Sequence, residues 1–280
     1  MGADTESLDG AKKRFGLRRH FNAQVDTKWA DVILLGCFYC SGLIDSMAFN
    51  MYGCFVSMQT GNTIFIGLGA NSQPTSAPHY SWSKSLLAVA CFALGCLFFS
   101  TLHRSLGPQR RIVLVSSFLL QALLIGIVSI IATTGAVPNH PPVVVTDDSK
   151  GILTFSLPSG FPASEFGPLA LLAFQSAGQI VASRALKYNA MPTVVLTSLY
   201  CDLMSDAQLF TAPVRENADR NRRFLGAVAL LAGAISGAFL TASKAGFMGG
   251  LWIGCAVKMG MAGAWMVWRE KETGGQGGKE

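Results

Sequence analysis

The sequence predicts an all-α integral membrane protein with six transmembrane helices and two broken or re-entrant segments. Three observations support this fold class. Hydrophobic residues make up 50% of the 280 residues and charged residues only 14%, whereas soluble domains carry about 25% charged residues. The apolar residues are concentrated in stretches of about 20, the length that a helix needs to cross a hydrocarbon core. Inside that core the backbone must satisfy its own hydrogen bonds, so each stretch is expected to be a helix.

The first element is a basic tail, residues 1–28, which has no apolar region and is therefore not a signal peptide. A short tail, 269–280, closes the chain, and the transmembrane domain covers residues 29–268. Its six predicted spans are 29–50, 85–103, 112–134, 166–186, 224–243 and 246–268.

Two further apolar segments, 51–70 and 190–211, are interrupted by polar residues, glycine or proline. If both segments return to the side from which they came, nearly all of the 22 Lys and Arg lie on the side of the two tails. The positive-inside rule makes that side cytosolic. A full crossing by 51–70 would move Arg104, Arg110 and Arg111 outside. The charge distribution therefore favours re-entrant segments and cytosolic termini, with the plasma membrane as the favoured residence.

The order of elements occurs twice, as one span, one broken segment and two further spans. The two halves cover 29–134 and 166–268, and an outer loop, 135–165, joins them. Because each half contains an odd number of spans, a tandem copy is inserted upside down, which predicts a 3+3 inverted repeat of the kind found in secondary transporters. Within the loop, residues 143–155 predict a small hairpin that covers the domain or acts as a lid.

Polar side chains inside a membrane are costly, so each is a candidate for function. Asp45 lies in the first span, where it either contributes to a site or caps the broken segment that follows. Gln59, Thr60 and Asn62 lie in that segment among glycines, which allow a backbone to unwind. These side chains either bind a polar solute or satisfy the backbone of a tight turn.

The second broken segment contributes Thr197 and Asp202 as candidate binding residues. Asp202 and Asp206 are four residues apart and would share one face of a helix. They either form a proton or cation site, or lie at the cytosolic boundary and pair with Arg215 or Arg220.

Lys258 is the single Lys or Arg in the middle of a predicted span. A buried ammonium group needs a carboxylate partner or a shifted pKa, and Asp45 and Asp202 are the available carboxylates. Gln175 and Gln179 are four residues apart and are expected to form hydrogen bonds across helices.

Gly233 and Gly237, and then Gly246, Gly250 and Gly254, recur at a spacing of four residues. Such glycines allow close packing of helices, or they form the face of a homo-oligomer. The seven cysteines are expected to be packing residues. The chain has no metal-ligand pattern and no nucleotide-binding motif, so no metal and no cofactor is expected. The basic residues flank the spans without a recognition motif, which argues against a nucleic-acid partner.

The first half resembles the YoaK-type family of multi-pass membrane proteins of unknown function. The resemblance rests on Gly42-x-x-Asp45 followed by Phe55-Val56-Ser57-Met58-Gln59-Thr60-Gly61-Asn62-Thr63. The second half resembles the corresponding motif of fungal members of that family, in Ala173-Phe174-Gln175-Ser176-Ala177-Gly178-Gln179, Ser183-Arg184, Pro192-Thr193-Val194-Val195-Leu196-Thr197-Ser198 and Asp202-Leu203. Ser198 departs from the commoner Thr-Gly form. The resemblance covers 29–268 and implies about six spans but no substrate.

These features favour a secondary transporter or permease for a small polar solute over an enzyme. Its expected partners are the lipid bilayer and that solute. A non-transporting membrane scaffold or accessory subunit is the alternative. An intramembrane enzyme is less favoured, because all four histidines fall in tails, loops or span ends.

Overall fold

A computed structural model describes residues 16, 19–71, 81–139 and 163–272. In these residues it contains no strand. Residues 19–22 are helical, and eight further helices follow in the order α1 (Ala30–Tyr52), α2 (Gln59–Gly69), α3 (Ser81–Leu106), α4 (Arg111–Thr133), α5 (Ala163–Ala185), α6 (Leu196–Met204), α7 (Ala218–Ala242) and α8 (Gly246–Val267). The hairpin predicted for residues 143–155 lies outside the described residues.

Six of these helices, all except α2 and α6, are long and apolar enough to cross a membrane. Each of these helices contributes 22 to 25 residues to a candidate span. At a rise of about 1.5 Å per residue, each span is longer than a hydrocarbon core is thick. The predicted fold class is therefore confirmed, and the chain is an integral multi-pass membrane protein.

The start of α7 differs from the prediction, since the helix begins at Ala218 rather than near residue 224. Its first turns carry charged residues that an apolar pattern excludes. These residues have partners in the structure: the Asn217 side chain accepts a hydrogen bond from the Arg220 backbone N–H (3.0 Å), and Arg222 forms an ion pair with Asp31 of α1 (2.9 Å). Capping and ion pairing extend the helix beyond its apolar part.

One end of the bundle brings together the starts of α1, α4 and α7 and the ends of α3, α5 and α8. The Val25 N–H donates to the Gln109 carbonyl (2.9 Å), and the Asp26 N–H donates to the Arg269 carbonyl (2.9 Å). The Tyr188 hydroxyl donates to the Thr27 carbonyl (2.6 Å). We call this the basic end. The six long helices therefore alternate in direction, as the sequence predicts.

The long helices associate in three main pairs: α1 with α7, α3 with α5, and α4 with α8. The backbones of α1 and α7 touch at two glycines. A Cβ atom on Gly42 would lie 1.9 Å from the Leu230 carbonyl oxygen, and one on Gly233 would lie 2.1 Å from the Tyr39 carbonyl oxygen. Gly237, Gly250 and Gly254 also face α1. The two glycine series therefore serve packing within one chain.

The first broken segment is re-entrant. At Gly53 (φ +71°) the chain leaves α1 through a left-handed residue, a conformation that glycine adopts without strain. It then turns back into the bundle, where the Val56 carbonyl accepts a hydrogen bond from the Ser176 hydroxyl (3.0 Å), near the middle of α5. Helix α2 returns to the end opposite the basic end, where Gly69 packs against Trp82 at the start of α3.

The second broken segment enters from the basic end. Near the middle of α1, the Ser41 hydroxyl donates to the Thr193 carbonyl (2.9 Å). Helix α6 then leads back to the basic end, where Asp206 contacts Asn217, the N-cap of α7. The two broken segments thus reach the middle of the bundle from opposite ends.

Candidate functional site

Lys258 of α8 lies at the centre of the bundle and is 0% exposed. Its ammonium group donates to Oε1 of Gln121 in α4 (2.8 Å) and to Oε1 of Gln179 in α5 (2.6 Å). It also lies 5.4 Å from the centroid of the Phe118 ring, within the range of a cation–π interaction. Three helices therefore hold one buried positive charge.

Further hydrogen bonds extend from both glutamines. The Gln179 amide donates to the Ser41 hydroxyl, which in turn donates to the Thr193 carbonyl of the second broken segment. The Gln121 amide donates to the Ser117 hydroxyl (3.3 Å). We call these five side chains the lysine network; its members are Ser41, Ser117, Gln121, Gln179 and Lys258. All five are buried.

The expectation that Asp45 or Asp202 pairs with Lys258 is wrong. Among the described residues no acidic group forms an ion pair with Lys258. Asp45 is used by the first broken segment, and Asp202 lies exposed on α6. Two neutral amide oxygens take the place of a carboxylate, so hydrogen bonds stabilise the ammonium group without neutralising its charge.

Asp45 is 2% exposed and fixes the start of the first broken segment. Its Oδ1 accepts hydrogen bonds from the backbone N–H groups of Val56 (2.8 Å) and Ser57 (2.9 Å). Its Oδ2 accepts a hydrogen bond from the Ser57 hydroxyl. Of the two roles that the sequence left open, the geometry matches capping of the broken segment.

Asn62 and Gln59 hold the turn that precedes α2 and the first turn of that helix. Asn62 is 0% exposed; its Oδ1 accepts from the Phe55 N–H (2.9 Å), and its Nδ2 donates to the Phe55 carbonyl (2.7 Å). The Gln59 amide donates to the Val56 carbonyl (2.9 Å). Thr60 is exposed. These side chains satisfy their own backbone, the second of the two interpretations that the sequence allowed.

Thr197 and Asp202 are both exposed on α6, away from the lysine network. Asp206 follows the helix and does not form a site with Asp202. Its closest basic group is that of Arg223 (3.8 Å), not Arg215 or Arg220 as the sequence suggested. The hydrogen bond from the Asn217 amide (2.9 Å) lowers the pKa of Asp206 below its usual value. Asp206 is therefore a structural residue of the basic end.

The structure adds Ser41, Ser117, Gln121 and Ser176 to the candidate residues. Gln121 could have been recognised from the sequence, because it is a polar amide inside a predicted span. Unlike Gln175 and Gln179, however, it has no other sequence-predicted candidate four positions away. Serine hydroxyls in helices commonly bond to their own backbone, so the sequence does not mark Ser41 or Ser176 as a contact between helices. Gln175 donates within α5 to the Leu172 carbonyl (3.1 Å) and, unlike Gln179, does not reach another helix.

Three cavities lined by described residues lie towards the basic end, with volumes of about 440, 700 and 800 Å³. None is lined by a member of the lysine network. The five side chains of the network are buried in this conformation. In the described ranges, no group of three or more His, Cys, Asp and Glu side chains is arranged to hold a metal ion.

Comparison with known proteins gives a family for the chain. A family model described as "Protein of unknown function (DUF1275)" matches residues 33–264. This range runs from the first turn of α1 to the last turn of α8. No curated protein and no solved structure matches the chain. The matched range includes both broken segments and the whole lysine network, and the chain belongs to the DUF1275 family of proteins of unknown function.

Proposed function

We propose that the protein is a secondary transporter or permease for a small polar solute, with its site at the lysine network. One observation carries the proposal: a buried positive charge lies at the point where both re-entrant segments reach the middle of the bundle. Charged groups at this depth are costly, and those in membrane proteins mark substrate or ion pathways. Asp45, Gln59 and Asn62 hold the first segment in position, and Ser41 contacts the second.

The helix pairings support this proposal, because they are the pairings expected of an inverted repeat. If α1, α2, α3 and α4 are matched in order with α5, α6, α7 and α8, each observed helix pairing corresponds either to another observed pairing or to itself. The pair α1–α7 corresponds to α5–α3, the pair α2–α3 to α6–α7, and the pair α1–α8 to α5–α4, while α4–α8 corresponds to itself. Helix pairings that repeat in this way are expected of two halves related by a pseudo-two-fold axis.

Side-chain contacts follow the same relation. Ser41 of α1 donates to the Thr193 carbonyl of the second broken segment, and Ser176 of α5 donates to the Val56 carbonyl of the first. Each half therefore holds the broken segment of the other half. Because of these crossed contacts, a movement of one half relative to the other would shift the position of both broken segments.

Two ion pairs between helices also correspond to each other when α1 to α4 are matched with α5 to α8. Asp31 and Arg222 join the starts of α1 and α7, and Glu165 and Lys84 join the starts of α5 and α3 (2.5 Å). These pairs lie at opposite ends of the bundle. Rocking of one half against the other would expose the lysine network to each side in turn, as in alternating access.

The chemistry of binding follows from the partners of Lys258. A solute that offers an acceptor oxygen would replace Gln121 or Gln179 at the ammonium group. The released amide would then donate to the solute, since each amide carries two N–H donors. Because the charge has no acidic partner, the network would favour solutes with acceptor groups over those with donors only.

A non-transporting membrane scaffold or accessory subunit is the second candidate. It is favoured by the burial of all five side chains of the lysine network, none of which lines any of the three cavities described above. An intramembrane enzyme has the least support, because the described histidines, His20 and His103, contact Met266 and Pro108 near the basic end rather than in the middle of the bundle.

Membrane topology gives the first test of the proposal. With single cysteines at Thr60 and Thr197, both of which are exposed, a membrane-impermeant maleimide should label the two positions from opposite sides. Labelling at Lys28 and Arg269 should occur from the cytosolic side. The cell fraction in which labelled protein appears tests its residence in the plasma membrane. Labelling of Thr60 and Thr197 from one side would contradict the inverted repeat.

Uptake into proteoliposomes tests the transport function itself. We expect at least one solute from a mixture of small polar metabolites to accumulate with the unmodified chain, as measured by mass spectrometry. Lys258→Met should reduce that uptake by about tenfold or more, because a charge-assisted hydrogen bond contributes about 1.5–3 kcal/mol. Asp202→Asn, which removes an exposed carboxylate, is the matched control and should leave uptake unchanged. Equal uptake by all three proteins, or by empty liposomes, would favour the scaffold.

A further inference from the structure

Helices α3 and α5 leave a groove between them near the basic end, with a volume of about 800 Å³. Most of its lining is apolar, including Phe92, Leu97 and Val181. Leu97 is 64% exposed although it lies within a predicted membrane span. The groove is therefore an indentation in the surface of a predicted membrane span, where hydrocarbon is the surrounding medium.

Positive charge lies at the end of this groove. Arg104, in the last turn of α3, and Arg184, in the last turn of α5, both line it. Both are exposed, and neither forms an ion pair with an acidic side chain in the described residues. Both arginines also bond to carbonyls near their own helix ends, Arg104 to Ser100 and Arg184 to Asn189. The guanidinium groups thus stay near the end of the groove.

His103 supplies a second, independent observation. It lines the same groove but is only 2% exposed. Its Nδ1 lies 3.1 Å from the Pro108 carbonyl oxygen, which can only accept, so Nδ1 carries the proton. Its Nε2 is buried and has no hydrogen-bond partner. Buried polar atoms without a partner are uncommon and point to a missing group.

We infer that this groove binds one phospholipid with an anionic headgroup, from the leaflet at the basic end. An acyl chain would lie along Phe92 and Leu97, and the anionic oxygens of the headgroup would lie at Arg104 and Arg184. His103 Nε2, which carries no proton, would accept a hydrogen bond from an N–H or O–H group of the headgroup. Guanidinium groups bind phosphate and carboxylate oxygens with charge-assisted hydrogen bonds, and basic pockets between transmembrane helices bind acidic headgroups. A soluble anion would leave the apolar part of the groove empty. This site is separate from the lysine network.

Native mass spectrometry of the full chain in detergent tests this inference. With phosphatidylserine and phosphatidylcholine added in equal amounts, we expect one phosphatidylserine to be retained preferentially. Arg104→Gln combined with Arg184→Gln should weaken this binding by about tenfold or more, since each basic residue near anionic lipid contributes about 1 kcal/mol. Lys187→Gln combined with Arg215→Gln removes the same charge from the same end but outside this groove, and should change nothing.

A second variant tests the apolar part of the groove. Leu97→Trp places a large side chain in the groove without changing any charge, and its exposed position makes misfolding unexpected. It should also reduce retention of phosphatidylserine. Three results would each overturn the inference: equal retention of the two lipids, equal losses in the control and the arginine variant, or full displacement of the lipid by excess inorganic phosphate.

Discussion

Gln179→Leu is expected to lower the free energy of unfolding by about 3 kcal/mol. The substitution removes one of the two amide oxygens that accept from Lys258, and it leaves the ammonium group buried. Removing one partner of a buried charge is costly because the charge loses stabilisation that water cannot replace. Thermal and denaturant unfolding of the purified protein in detergent measures the change.

A double variant separates this effect from a simple loss of packing. Lys258→Met removes the charge but leaves the Oε1 atoms of Gln121 and Gln179 without a donor, so it should itself cost about 1–3 kcal/mol. In that background Gln179→Leu should cost much less than it does alone. Gln175→Leu, one turn away on α5, is the matched control. Its Oε1 is buried without a partner, so its replacement should be neutral or stabilising. Equal costs of Gln179→Leu with and without Lys258 would contradict a role for the charge.

Gly42→Ala is expected to destabilise the protein by about 3 kcal/mol, the upper part of the range for overpacking. The added methyl group would lie 1.9 Å from the Leu230 carbonyl oxygen and 2.8 Å from the Ala234 nitrogen. Both are backbone atoms of α7, so the clash is relieved only if the two helices separate. Gly95→Ala in α3 should behave similarly, because its Cβ would lie 2.4 Å from the Phe174 carbonyl oxygen of α5.

Gly263→Ala is the control for these variants. Gly263 lies in α8, with nothing within 4 Å of its added Cβ atom. Alanine stabilises a helix relative to glycine by about 0.5–1 kcal/mol, so this variant should be neutral or slightly more stable. The melting temperature in detergent and the fraction of monodisperse protein report both effects. If Gly42→Ala and Gly263→Ala were equally tolerated, the close contact between α1 and α7 would not contribute to stability.

The span pattern of the fold could be predicted from the sequence, since it depends on local composition. A stretch of apolar residues of sufficient length must form a helix in hydrocarbon, whatever its neighbours are. The same applies to the interruptions at 51–70 and 190–211, because glycine, proline and polar side chains disfavour a continuous span. The predicted start of α7 is wrong because its charged first turns are stabilised by Asp31 and Asn217. Asn217 is adjacent to the helix in the sequence, but Asp31 is brought to it only by the fold.

The candidate site was predicted in part. Lys258 was identified because one charge inside an apolar span is visible in the composition. Its partners were not, because the choice among Asp45, Asp202 and the glutamines depends on which helix faces lie together. Asn62 and Asp45 were identified as important, but their hydrogen bonds to Phe55, Val56 and Ser57 give them a structural role in the turn.

The sequence by itself determined that the chain lies in a membrane, how many times it crosses, and where its helices are broken, because these depend on hydrophobicity along the chain. Only the tertiary structure decided that Lys258 is held by Gln121 and Gln179, and that the helix pairings of one half correspond to those of the other. Hydrogen bonds between residues more than 70 positions apart, such as Lys258 to Gln179, require specific helix faces to meet. Close packing at positions such as Gly42 and Gly233 determines which helix faces meet. The pattern of residues along the sequence does not specify these contacts.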